Sequence, residues 1–307
     1  MTARVRALVE ALGRFGERRA VRDGLIVAGV VFAIVLAFKA AGGDPYLGYD
    51  AHAYWQAAAL DHPYATTIAG GFNGAGGLYE YKYPPPLAQL LFPFHLLPWP
   101  VFLGLWTLLL FGVFMWLAGR WAYLALFFPP VLGELWLGNV NLLIAAAVVI
   151  GFRSGTAWAF PLLTKITPGI GLLWFGVRRE WRPLALAVAV SAAICAGSFA
   201  LAPVLWADWF TALGTQTEAT LAPLAQSAPV GLPIRLAVAV LLTVWAALTD
   251  RRWVLPIAIS LAVPFAWWNV FSIAIASLRL GSSGQVRIAA DHRLPPTGPD
   301  RAIEAIP

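Results

Sequence analysis

Long, continuously apolar runs alternate along this chain with short polar breaks. They cover about residues 24–41, 84–98, 101–117, 121–132, 138–151, 156–177, 183–203, 232–248 and 253–278. Uninterrupted apolar stretches of about 18 residues or more read as membrane-crossing helices. Inside lipid every backbone N–H and C=O must find a partner within the chain, which favours helices. The runs lack the period-2 alternation of a membrane β-barrel. The pattern predicts an all-α, polytopic transmembrane bundle of about 9–10 membrane helices. The runs at 121–132 and 138–151 fall below the ~17–25 residues a crossing takes and are expected to be short or re-entrant. The run at 253–278 is one long helix kinked at Pro264, or two short ones. One crossing leaves the tail outside and two return it inside, and Arg279, Arg287, Arg293 and Arg301 favour the inside.

Charge sets the orientation. Of 307 residues, 60% are hydrophobic and 12% charged, against about 25% charged in a soluble domain. The net charge of +6 comes from arginines at the ends of apolar runs: Arg4 to Arg22, Arg178, Arg179 and Arg182, and Arg251 with Arg252. That is the positive-inside arrangement of a multi-pass plasma-membrane protein rather than a nucleic-acid surface. Residues 1–23 are then a cytoplasmic segment, with Val5, Leu8, Leu12 and Phe15 on one face of an amphipathic helix. No small-residue cleavage site follows the first run, which reads as a retained helix. Residues 24–280 form a single membrane domain with outer loops at 42–83 and 205–231, and the polar tail at 281–307 is expected to be disordered. Cys195 is the sole cysteine, so the chain holds no internal disulfide or cysteine metal cluster.

The polar residues that interrupt this pattern are the candidates for chemistry. Gly48-Tyr49-Asp50-Ala51-His52-Ala53-Tyr54-Trp55-Gln56 follows the first run, and Tyr83-Pro84-Pro85-Pro86 closes the same loop. A carboxylate at the membrane face among aromatic rings suits a general base acting on a sugar or lipid hydroxyl. Asp50 can equally cap a short helix over residues 51–60. Asp44 and Asp61 compete for the base role. Lys165 lies inside an apolar run, where a lysine costs roughly 2.5–3.5 kcal/mol and therefore faces protein or water. Its partner is an anion such as a lipid phosphate, or Glu134 in an ion pair. Glu134, Asn139 and Asn141 form a polar island; amides in membranes commonly bond neighbouring helices. Arg235 breaks the positive-inside trend beside the second outer loop, as an anion-binding residue would. His52 and His62 show no metal-ligand spacing, His95 reads as structural, and Trp55, Trp206 and Trp209 can anchor the interface or stack on sugar.

Taken in order, these pieces resemble glycosyltransferase family 87, the polyprenol-phosphate-mannose-dependent α-1,2-mannosyltransferases of GT-C fold. The matching segments are Asp50 to Ala58, Tyr83-Pro84-Pro85-Pro86-Leu87 with Pro93, Gly138-Asn139-Val140-Asn141, Lys165-Ile166-Thr167-Pro168, and the cluster Arg178 to Arg182. The resemblance implies a GT-C bundle whose first outer loop carries the catalytic aspartate, Asp50. It implies an inverting transfer of a hexose, mannose above all, from a polyprenyl-phosphate donor to a lipid or glycan hydroxyl outside the membrane. Lys165 and Arg235 would contact the donor phosphate, and Tyr49, His52, Tyr54, Trp55, Tyr83, Asn139 and Asn141 the substrates. A single-phosphate lipid donor requires neither metal nor cofactor. The sequence departs from the family where Gly138 is followed by Asn139 rather than glutamine. It departs again at 263–269, where no histidine follows the tryptophans. A lipid-linked-sugar transporter or flippase and a catalytically inactive scaffold are the alternatives.

Overall fold

Continuous apolarity makes helix the low-energy state, and prolines and glycines decide where each helix stops. The computed structural model describes residues 3–43, 47–59, 62–65, 81–214, 230–264 and 267–281, and among these no strand occurs. Asp44, Asp61, the glycine-rich stretch 70–77, the outer-loop residues Gln216, Glu218 and Gln226, and the tail from 282 lie outside the described residues.

Helix α1 (Ala3–Glu17) exposes Val5, Leu8 and Phe15, as expected of a helix lying on lipid. Four long helices then carry the bundle. Helix α2 (Arg19–Ala41) runs antiparallel to α5 (Trp99–Ala118), with Ala37 beside Gly104 and Gly29 beside Phe111. The other two are α11 (Trp181–Leu201) and α13 (Leu232–Leu248). Among the described residues, α2, α5 and α11 are long and apolar enough to cross a membrane, and α13, at 17 residues, is slightly shorter. Arginines other than Arg235 collect at one end of this frame. The Arg178 guanidinium donates to the Ala247 carbonyl at 3.0 Å and pairs with Asp250 at 3.3 Å. The Arg252 guanidinium stacks on Phe152 and that of Arg279 on Trp116.

Three half-length hairpins fill the frame, each leaving and re-entering at the arginine end. The first is α7 (Pro129–Leu137) and α8 (Asn141–Gly151), bent through 111° at the break between them. It follows α6 (Ala122–Ala125), a single turn just past α5. In the second, α9 (Ala159–Lys165) rises, and a 3₁₀ stretch (Thr167–Leu172) and α10 (Leu173–Val177) descend. In the third, α14 (Leu255–Ala262) rises and a 3₁₀ stretch (Trp268–Ile275) descends; Phe265 and Ala266 at its tip lie outside the described residues. The last apolar run is thus two short pieces, and Arg279 returns beside Gly119 at the arginine end. The run expected at 156–177 is broken at Ile166, and that at 253–278 between Ala262 and Trp268.

From the opposite end come α3 (Tyr49–Ala57) and α4 (Pro85–His95). The run after the proline triplet, expected from sequence to be a membrane helix, does not cross. Its 11 residues reach only about 16 Å, and Pro98 turns the chain into α5. Helix α4 stays level with α3 and the end of α11: His95 Nδ1 lies 3.0 Å from the Trp55 carbonyl, and Gln89 donates to the Ser198 carbonyl at 3.2 Å. Helix α12 (Pro203–Gly214) covers the same end, where Trp209 Nε1 donates to the Lys82 carbonyl at 3.2 Å. The chain is an all-α polytopic membrane bundle in which several of the expected membrane helices are half-length hairpin arms.

Candidate functional site

The three hairpin tips meet beneath α3, and Glu134 holds them together. It sits in the last turns of α7, wholly buried. Its Oε1 accepts the backbone N–H of Asn141 at 2.6 Å and of Leu142 at 3.2 Å. The first N–H groups of a helix have no partner of their own and carry partial positive charge, so a carboxylate suits them. Glu134 therefore caps α8 from across the tip. Its Oε2 accepts from Asn141 Nδ2 at 2.8 Å and from Asn269 Nδ2 at 3.1 Å, which ties the first hairpin to the third.

Lys165 arrives from the second hairpin. Its ammonium donates to Asn141 Oδ1 at 2.7 Å and to Asn139 Oδ1 at 3.0 Å. The polar island does bond neighbouring helices: the second hairpin through this lysine, and the third through Glu134 and Asn269. Asn141 stands between Lys165 and Glu134, one end on each. An ammonium has three N–H donors, and among the described residues these two neutral amides are its hydrogen-bond partners. The chain leaves Lys165 through Ile166, at φ 55° and ψ −58°. That is the rare γ-turn geometry, and for a β-branched residue it stores roughly 1–3 kcal/mol of strain. It ends α9 at Lys165, at the level of the asparagines, and turns the chain back down.

Asp50 approaches from α3. The helix begins at Tyr49 and is capped by Gly48, so Asp50 lies inside the first turn and is not the cap. Its carboxylate is left to face Asn139 and Lys165, both of which act on it. Burial pushes the carboxyl above its ordinary value; the Asn139 hydrogen bond and the Lys165 charge offset part of this. Tyr83 completes the group. Its hydroxyl lies 2.9 Å from that of Tyr54 and faces both Asp50 and Asn139, and Tyr64 holds its backbone by donating to the Tyr83 carbonyl at 2.8 Å. Asp50, Tyr83 and Lys165 are each partly exposed, whereas Glu134 and Asn141 beneath them are sealed.

The remaining sequence candidates stand elsewhere. Tyr49 opens α3 beside Asp50, half-buried. His52 and Trp55 pack on Trp99 and His95, with ring centroids 4.5 Å apart for His52–Trp99 and 5.1 Å for Trp55–His95. Trp55 Nε1 donates to the Leu97 carbonyl at 3.0 Å. Burial brings the His52 imidazole down to about 4, so it is uncharged at neutral pH. Arg235 is buried against backbone: its guanidinium donates to the carbonyls of Val230, Leu261, Val263 and Pro264 at 2.8–3.2 Å. Those bonds satisfy the end of α14 and shape the third tip. Asn269 was not among the sequence candidates for the site, and Glu134 entered only as a member of the polar island and an ion-pair partner for Lys165. A carboxylate in an apolar run is the signal that marks Glu134; Asn269 carries only the weaker signal of an amide after two tryptophans.

One close approach sets the depth of the first tip. Gly138 has φ +70°, and a Cβ there would stand 2.6 Å from the Ala51 Cβ. Trp106 Nε1 fixes the same turn by donating to the Gly138 carbonyl at 2.8 Å. Gly138→Val is expected to cost roughly 1–3 kcal/mol of stability from overpacking and backbone strain. A melting temperature in detergent equal to that of the native chain would show that α3 does not rest on this tip.

Residues 81–282 match the model of glycosyltransferase family 87. The match contains Tyr83, Glu134, Asn139, Asn141, Lys165 and Asn269; Asp50 precedes it. A polyprenol-phosphate-mannose-dependent alpha-(1-2)-phosphatidylinositol pentamannoside mannosyltransferase of Mycolicibacterium smegmatis is 27% identical over 157 residues, covering 40% of this chain and 38% of that relative. The match thus spans well under half of the relative's length. No solved structure matches the chain.

Proposed function

As the chain belongs to glycosyltransferase family 87, and is thereby a membrane glycosyltransferase, we propose that it transfers mannose from a polyprenyl-phosphate donor to a lipid or glycan hydroxyl. The transfer takes place at the membrane end opposite the arginines, the extracytoplasmic face under the positive-inside rule. The donor class follows the name of the mycobacterial relative. The observation that carries the reading is the Lys165 ammonium held on Asn139 and Asn141 at the hairpin tips, with Asp50 in the first turn of α3 within range of its charge. A general base and a cation within reach of one amide are what an inverting displacement from a phosphate needs.

In this reading the acceptor oxygen attacks the anomeric carbon from the face opposite the phosphate. Asp50 takes the hydroxyl proton as the new C–O bond forms. The bond from the anomeric carbon to the phosphate oxygen breaks, and its electron pair leaves with the polyprenyl phosphate. The third N–H of Lys165 stabilises the charge on that oxygen. Tyr83, Tyr54 and Asn139 orient the sugar. Asn141 and Glu134 keep Lys165 pointed upward. Polar side chains gather at the hairpin tips, with Val131, Ile144 and Val148 buried below them; this supports transfer at one face over passage of a lipid-linked sugar through the bundle.

The test is label transfer from radiolabelled polyprenyl-phosphate mannose to a lipid and glycan extract by the purified chain in nanodiscs. A labelled product that needs the protein is expected; donor bound with no product at any pH would overturn the reading. The same assay checks the base. Asp50 must be ionised to accept a proton, and burial raises its pKa, so activity is expected to be present at neutral pH and to fall as pH drops. The half-maximum should lie above the ordinary aspartate value of about 3.9. A rate unchanged down to that value would remove Asp50 from the role.

A further inference from the structure

At the arginine end, far from Asp50, a cavity of about 600 Å³ opens between the start of α2, the last turns of α5 and the end of α1. It is of the size of a small-molecule site. Its walls are Leu25, Ile26, Val30, Leu108, Phe111 and Met115. Its mouth carries Arg22 and Arg120, with Arg279 stacked on the lining residue Trp116. Glu17 also reaches the mouth, where it pairs with Arg120 at 3.4 Å; Arg22 lies 4.0 Å from Asp23, at the limit of an ion pair. The slot exists because residue 112, in the middle of α5, has no side chain: a Cβ built on Gly112 meets nothing within 4 Å. From Arg22 to Val30 the wall runs about 12 Å along the helix axis, from headgroup level into the hydrocarbon.

We propose that this cavity binds one anionic phospholipid of the leaflet on the arginine side. Its phosphate sits among Arg22, Arg120 and Arg279, and an acyl chain lies over Gly112. Charge complementarity selects the occupant. Two arginines, Arg22 and Arg120, and one carboxylate, Glu17, line the cavity. Arg279 on Trp116 adds a third cation and Asp23 beside Arg22 a second carboxylate, so the excess is basic, and basic side chains at this level attract anionic lipid. The exposed apolar face of α1 keeps the mouth at the membrane surface. The lipid would add to what already joins α1 to its neighbours: the Arg120–Glu17 pair at 3.4 Å, the Phe15 ring against Tyr123 at 5.3 Å, and the Tyr123 hydroxyl, which donates to the Leu12 carbonyl at 3.0 Å.

Native mass spectrometry of the purified full chain, with phosphatidylglycerol or phosphatidylcholine added, tests this without any transfer assay. One phosphatidylglycerol is expected to be retained with about ten- to thirtyfold preference over phosphatidylcholine. Gly112→Leu fills open space and should fold at least as well as the native chain, yet lose that preference. Arg22→Gln should weaken it without filling the slot. Glycerol phosphate, which has no acyl chain, should not compete. Equal retention of the two lipids, or a preference that survives Gly112→Leu, would mean annular lipid only. Competition by glycerol phosphate would mean a surface phosphate site and would equally overturn the proposal.

Discussion

Asp50→Asn is expected to lower the transfer rate by about 10²–10⁴-fold, the usual contribution of a positioned general base. Donor affinity should change little. Asparagine has the same size and keeps a carbonyl oxygen for Asn139, but it cannot take up a proton. It also removes a half-buried carboxyl whose pKa burial has raised, so the fold should be undisturbed. Donor retention and melting temperature separate loss of chemistry from loss of structure. Asp50→Glu should recover part of the rate, since its carboxyl lies one methylene further out. A native rate in Asp50→Asn would leave the base to be sought among residues outside the described segments, Asp44 and Asp61 first.

Lys165→Met should cost about 10²–10³-fold in kcat, the scale of losing one group that stabilises charge in the transition state. A second consequence is specific to this geometry. The Lys165 charge draws the Asp50 pKa down against the effect of burial. Without it Asp50 holds its proton to higher pH, so the acid limb of the pH–rate profile should move upward. A merely structural lysine would lower activity without that displacement. Methionine keeps the length of the side chain, but it takes the ammonium donor from Asn141 Oδ1, leaves Asn139 Oδ1 with only the Val140 backbone N–H, and removes the cation near Glu134. Stability should fall as well, and the pH profile is therefore the deciding measurement. An acid limb that stays in place would separate Lys165 from Asp50 and sink the paired mechanism.

The sequence revealed the fold class because lipid leaves few choices: long apolar runs with arginines at their ends allow little but a helical bundle. The length of a run gave α2, α5, α11 and α13 closely, the last with the same bounds in sequence and structure. It failed for the runs at 84–98 and 156–177, which are apolar throughout yet are not single crossings; for that at 253–278 it left one kinked helix or two short ones open, and the structure has two. Composition reports that a segment is buried in lipid or protein; it does not report whether the segment turns back halfway. At Ile166 nothing local forecasts the turn, since isoleucine disfavours positive φ and tertiary packing overrides it. The site was legible as scattered polar interruptions, and Asp50, Asn139, Asn141 and Lys165 do meet. Distance in the chain hid Asn269, 135 residues from its partner Glu134. The sequence also suggested a cap role for Asp50, which Gly48 fills instead.

The hairpins have a consequence for biogenesis. None of their arms is long enough to be accepted by the bilayer as an independent stop-transfer segment, and their tips carry a carboxylate, an ammonium and three amides. During synthesis they have no stable place in lipid until long helices enclose them. The last enclosing helix, α13, emerges after the first two hairpins, and the third hairpin, with Asn269, emerges last of all. Cellular quality control would therefore see a chain truncated before Asn269 as one whose Glu134 carboxylate has lost the Asn269 bond and the cover of the third hairpin. Premature termination there should lead to degradation rather than to a partially active product.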